Sequence, residues 1–284
     1  MDWMPNYALI AALMYAIPFV LSDSLSKRMV SKVGAYRLGA VMLAVGLVPA
    51  ILAAAFVGFN AVSFYSIVLA VATGLAISFG YMLFYKAMET EQISNSIAFS
   101  ELAAAVFVIF GFLVFGESIG IIGIIGIVIV FIGASLVAVT EDRRLNKRLI
   151  PAIMAFILWS VGFIIFAYSI KASSTFATPL IIAKITALVS FIVIARFMGF
   201  RKAREKLRLH AKGIVATGLL DGTGTAAFGF VTALAAVGLT GVMNAITPVV
   251  AAIIGYRYYK ERFTKLQLFG FVIMVAGAVL VSIF

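Results

Sequence analysis

An ammonium and a carboxylate buried at similar depth are the first chemistry this sequence offers. Lys184 stands nine residues into the apolar run 175–198 and Asp221 nine residues into the run 212–236, each about 13 Å deep at the helical rise of about 1.5 Å per residue. A charge at the centre of a membrane span costs about 2.5–3.5 kcal/mol, so it faces a cavity, a partner charge or the interface. Two readings stand for this pair. It is a buried ion pair that fixes a helix bundle, or one or both groups meet a substrate carboxylate, a substrate ammonium or a coupling proton. Glu101, eight residues into the run 93–115, lies about 12 Å deep and is read as a proton-coupling group or as the partner of Arg37 or Lys184. Arg37 and Asp23 stand nearer the end of a run, where long side chains snorkel and a short acid caps or pairs.

Polar aromatics at depth add to the candidate pocket. Trp159 lies ten residues into the run 149–170, and a midplane indole needs a hydrogen-bond partner or a ligand face. Phe79 and Tyr81 in the run 63–86 and Asn244 in the run 240–258 are further candidates. Gly222 and Gly224 lie within a span, where small residues permit close helix packing or serve as a hinge. The glycine-rich stretch around them follows no strand, so it has neither the dinucleotide-binding nor the P-loop context.

Enzyme classes largely fall away on composition. The chain has no cysteine and one histidine, His210, which excludes disulfides, thiolate metal sites and cysteine nucleophiles and leaves no His-rich metal centre. No Ser/His/Asp constellation, paired-carboxylate motif or ATP-binding module is present, and no cofactor or metal is expected. Transport would run on substrate or ion gradients.

The elements that must hold these residues are membrane helices. Of 284 residues, 64% are apolar and 12% charged, against about 45–50% and 25% in a soluble domain. Spans of about 20 apolar residues divide the chain into ten, at 5–26, 34–57, 63–86, 93–115, 119–139, 149–170, 175–198, 212–236, 240–258 and 264–284. The start lacks the cationic leader of a signal peptide, so the first run reads as a retained span. Nineteen of the 22 Lys and Arg fall on the side reached after odd-numbered spans. The positive-inside rule then predicts both termini outside a cytoplasmic membrane. It also assigns the net charge of +11 to topology rather than to nucleic acid.

A shift of 144 residues superimposes the chain on itself: Val71-Ala72-Thr73-Gly74-Leu75 falls on Val215-Ala216-Thr217-Gly218-Leu219, Gly80 on Gly224, Gly126 on Gly270, Gly133 on Gly277, and Glu117 on Glu261. The expected fold is therefore an all-α membrane protein of ten transmembrane helices in two five-helix repeats, residues 1–140 and 149–284, joined by a basic linker at 141–148. Five is odd, so the repeats are inverted, an arrangement that serves alternating access in secondary transporters.

With these features the sequence resembles the drug/metabolite transporter superfamily, specifically its ten-helix EamA-type members, over essentially the whole chain. The fourth and ninth spans close on an acid, in Phe115-Gly116-Glu117 and Tyr259-Lys260-Glu261, before the glycine-rich spans from Gly126 and Gly270. The ninth carries Ala245-Ile246-Thr247-Pro248-Val249, and the second and seventh carry Arg37-Leu38-Gly39-Ala40 and Lys184-Ile185-Thr186-Ala187. The first half departs from the pattern with Ala104 opposite Pro248 and Gly116 opposite Lys260. The resemblance implies a secondary carrier with a central cavity, commonly an exporter of amino acids, other metabolites or drugs. The expected cargo is a small amphipathic metabolite such as an amino acid; the alternatives are a multidrug exporter of lipophilic cations and a non-transporting membrane scaffold.

Overall fold

Apolar runs that cannot hydrogen-bond to lipid must satisfy their backbone internally, and helices do so segment by segment. The computed structural model describes residues 4–88, 120–138, 150–173, 175–198, 206–234, 247–260 and 262–283. All regular structure among them is helical: α1 (Met4–Val33), α2 (Ala35–Val45), α3 (Leu47–Val57), α4 (Phe64–Met88), α5 (Ile121–Ala138), α6 (Ile150–Ser173), α7 (Ala177–Ala195), a 3-10 turn at Leu207–His210, α8 (Ala211–Leu234), α9 (Thr247–Tyr259) and α10 (Lys265–Ile283). Among the described residues, five stretches are long and apolar enough to cross a membrane: Ala35–Val57, Phe64–Met88, Ile150–Ser173, Ala177–Ala195 and Leu207–Ala233. The molecule is an all-helical, multi-pass membrane bundle. The expected span at 93–115 lies outside the described residues, and that at 240–258 is described only from residue 247.

Glycine and proline set the boundaries. Gly34, at φ 79°, ends α1 in a conformation that glycine adopts without a Cβ penalty, and Gly58 at φ 92° ends α3. The expected span 34–57 is present as the stretch Ala35–Val57, broken at Gly46 where α2 meets α3. Pro49 supplies the reason: it has no N–H for the Val45 carbonyl, so the ladder is interrupted one turn upstream.

The outer surface is apolar, and the interior buries small hydroxyl residues beside large aromatic ones such as Phe84, Tyr85, Phe166 and Phe228. Phe56, Phe64, Ile121 and Val272 are exposed, whereas Ser66, Thr73, Ser160, Ser169 and Thr217 are buried. The Ser66, Thr73 and Ser169 hydroxyls bond across helices, as does that of the buried Ser22: Ser66 Oγ donates to the Ser169 carbonyl at 2.9 Å and Ser22 Oγ to the Thr217 carbonyl at 3.0 Å, whereas Ser160 and Thr217 bond within their own helices. With lipid as solvent, association rests on such bonds and on close packing rather than on apolar burial.

Helix α4 packs on α6 and α7, α8 packs on α1, α2 and α3, and α5 packs on α10. Moving every position by 144 residues exchanges these contacts: α4 with α6 becomes α8 with α1, α4 with α7 becomes α8 with α2 and α3, and α5 with α10 returns to itself. The correspondence reaches single residues. A Cβ on Gly133 would lie 2.8 Å from the Met274 amide nitrogen, and a Cβ on Gly277, 144 positions after Gly133, would lie 2.8 Å from that of Val130, 144 positions before Met274.

Candidate functional site

Two helices and a broken third bring the deep charges together. Lys184 is carried on α7 and Asp221 on α8, only 2% and 1% exposed, with the Lys184 ammonium 2.5 Å from Asp221 Oδ2. The Tyr81 hydroxyl, on α4, donates to the other carboxylate oxygen, Oδ1. Both oxygens of Asp221 are therefore engaged, which a buried carboxylate needs to offset its desolvation. The approach depends on missing side chains. Gly218 and Gly222 flank Asp221, and a Cβ on Gly222 would lie 2.5 Å from the Gly46 carbonyl oxygen. A Cβ on Gly46 would lie 3.3 Å from Asp221 Oδ2, so the break between α2 and α3 sits directly on the carboxylate.

An aromatic cluster braces the tyrosine. Tyr81 meets Trp159 edge to face at 5.0 Å, and Trp159 in turn meets Phe84 at 5.0 Å and Phe156 at 5.2 Å. The indole N–H donates to the Ile77 carbonyl at 3.2 Å, and a Cβ on Gly80 would overlap the indole. Tyr85 lies one turn beyond Tyr81, with ring centroids 5.8 Å apart and its hydroxyl 2.7 Å from the Met42 sulfur. Asp23 on α1 is partly buried and within electrostatic reach of Asp221, Tyr81 and Tyr85. The assembly thus draws on α1, α2, α4, α6, α7 and α8.

Beside the pair lies a cavity of about 10 Å³, bordered by Lys184, Thr73, Ile77, Phe166, Leu180, Ala183, Ala187 and Thr225. A space of that size holds about one water-sized group. The Thr73 hydroxyl donates to the Gly162 carbonyl at 3.2 Å and that of Thr225 to the Asp221 carbonyl at 2.8 Å. Both bordering hydroxyl donors are already in use.

Of the residues singled out in the sequence, the structure brings Lys184, Asp221 and Tyr81 into contact, with Trp159 against Tyr81. Phe79 is 41% exposed and Arg37 is exposed, so neither joins them. Gly222 and Gly224 lie inside the continuous helix α8, the first against Gly46 and Pro49 and the second against the Phe19 ring. Glu101, Asn244, Glu117 and Glu261 lie outside the described residues. Sequence reasoning assigned Asp23 to the interface and gave no place to Tyr85 or Gly46. The spacing Gly46-x-x-Pro49 was the available signal for the break. No group of three or more potential metal ligands occurs among the described residues.

The comparisons with known proteins agree with this architecture. No curated protein matches the chain. Among 28 matching chains of solved structures, one, described only as "Crystal structure of protein", superimposes with a TM-score of 0.71 over 96% of this chain and 98% of its own, at 13% identity. Identity that low speaks for a shared fold alone. The EamA-like transporter family model matches twice, at residues 5–139 and again at 147–283. Together these matches leave little of the sequence uncovered, and the chain belongs to the EamA-like transporter family of multi-pass membrane transporters.

Proposed function

We propose that this protein is a secondary carrier that exports small amphipathic metabolites, amino acids foremost, across the cytoplasmic membrane by alternating access. In this reading the moving parts are two inverted five-helix halves, residues 1–140 and 149–284. Two observations support the halves: the twofold family match and the exchange of helix contacts under the 144-residue shift.

The observation that carries the cargo class is the Lys184–Asp221 pair with Tyr81 on its second oxygen. A zwitterion can replace each partner with its own kind of charge, its carboxylate taking the Lys184 ammonium and its ammonium taking the Asp221 carboxylate. No buried charge is then left unpaired during the exchange, which a cation or an anion alone would not achieve. Lys184 also weighs against a pocket for lipophilic cations, because its ammonium already neutralises the acid such a pocket needs. Tyr81 stands in the first proposed half and Asp221 in the second, so cargo at this point senses how the halves meet.

Counterflow in proteoliposomes tests the reading, using labelled amino acids, organic cations and sugar phosphates. Amino acid uptake that is lost in Lys184→Ala and in Asp221→Asn is the expected result. Uptake confined to organic cations would replace it with the multidrug reading. No uptake of any class by folded protein would favour a scaffold.

A further inference from the structure

We infer that the cavity beside Lys184 is the subsite for the cargo's side chain, and that its walls restrict that side chain to a small aliphatic group. The inference rests on the amino acid reading above and deepens it.

Position is the first argument. The cavity is bordered by Lys184 itself and by Thr225, whose hydroxyl bonds the Asp221 backbone carbonyl at 2.8 Å. A zwitterion held between Lys184 and Asp221 therefore has this space next to its α-carbon. Among the charged and polar groups of the described residues, none but Lys184, Thr73 and Thr225 borders it.

Chemistry is the second. With the Lys184 ammonium on the cargo's carboxylate, the polar groups left on this wall are two threonine hydroxyls that already donate to backbone carbonyls. Burying a hydroxyl or amide without a partner costs about 1–3 kcal/mol on mutational scales. The remaining wall is Ile77, Phe166, Leu180, Ala183 and Ala187, which suits a methyl group.

Size is the third. Room for about one water-sized group matches a cavity of about 10 Å³. Two bulky side chains form part of its wall: Phe166 and Leu180 are each 1% exposed, and Phe166 is stacked on Phe228 at 6.3 Å. The α7 wall consists of Leu180, Ala183, Lys184 and Ala187, and larger residues at the two alanines would fill the space.

The test is counterflow of labelled glycine, alanine, valine, leucine and phenylalanine in proteoliposomes, with each rate divided by that of glycine. Wild type should favour alanine and discriminate against leucine and phenylalanine, with valine between them. Ala187→Val should lower the alanine and valine ratios, and Leu180→Ala should raise the leucine ratio, each by about tenfold, the discrimination that one methylene brings in an apolar pocket. Leu180→Val, a smaller change, makes the same comparison if Leu180→Ala does not fold. Ratios unmoved by filling or enlarging the cavity, with amino acid uptake intact, would overturn the subsite and leave the carrier reading standing. Absence of uptake for all five in folded wild-type protein would overturn the amino acid reading, and the subsite with it.

Discussion

The carboxylate of Asp221 is held from two sides by residues of different helices: Lys184 reaches Oδ2 from α7 at 2.5 Å and Tyr81 reaches Oδ1 from α4. Because Tyr81 and Asp221 stand 140 positions apart, the carboxylate ties together distant parts of the chain. A buried carboxylate needs its second oxygen satisfied whether the pair serves packing or binding, so what separates the two roles is whether an apolar replacement does as well.

That comparison is the first prediction. Asp221→Asn and Lys184→Ala should each lower stability by about 3–5 kcal/mol, because each leaves one charge buried without its partner. The double variant Lys184→Met/Asp221→Leu should recover most of the loss while remaining inactive in counterflow. Thermal unfolding in detergent beside the uptake assay separates the two effects. Full uptake by the double variant would assign the pair to structure.

Tyr81→Phe removes one hydrogen bond to a charged acceptor and keeps the ring that packs on Trp159. A loss of about 1.5–3 kcal/mol is expected for such a bond, smaller than that from breaking the ion pair. In transport, KM should change more than the maximal rate if the freed Oδ1 takes the cargo ammonium. An unchanged KM would remove Tyr81 from the binding step.

Gly222 and Gly224 separate a packing role from a hinge. A Cβ on Gly222 would lie 2.5 Å from a backbone oxygen of Gly46 and 2.9 Å from the Pro49 ring, groups that cannot move aside cheaply. On Gly224 its nearest neighbours would be atoms of the Phe19 ring, a side chain rather than backbone. Overpacking costs about 1–3 kcal/mol, so Gly222→Ala should unfold at a clearly lower temperature and Gly224→Ala at a temperature closer to wild type. Lost transport at unchanged stability in either variant would instead identify a hinge.

The deep charges were legible because a lysine or aspartate in an apolar run has few reasons to be there. Which group each one meets was not, since the pairing depends on how α7, α8 and α4 pack. Trp159 shows the same limit: its depth is written in the sequence, but the Ile77 carbonyl that takes its proton is on another helix. Phe79 is a different case. Residues two apart on a helix point about 200° away from each other, so Phe79 and Tyr81 could not both face one pocket, and the helical period alone separates the exposed ring from the buried phenol. Asp23 stayed hidden because a charge near the end of a run looks interfacial until the packing of α1 on α8 turns it toward Asp221.

Lys260 carries the last prediction, and its signal lies in the repeat. The residue follows α9 directly and has φ 53°, a left-handed conformation that costs a side-chain-bearing residue about 1–2 kcal/mol. Glycine is the usual residue there because it has no Cβ to clash, and 144 positions earlier the sequence has Gly116. Against the gain from Lys260→Gly stands the loss of a cation at a helix C-terminus, about 0.3–1 kcal/mol. The backbone effect is the larger of the two, so Lys260→Gly should raise the unfolding temperature and stabilise the protein by about 0.5–1 kcal/mol. Lys260 is exposed and no part of the Lys184–Asp221 cluster, so counterflow should be unaffected. A lowered unfolding temperature would mean that the charge at the end of α9 outweighs its backbone strain, and that the lysine is kept there for its ammonium.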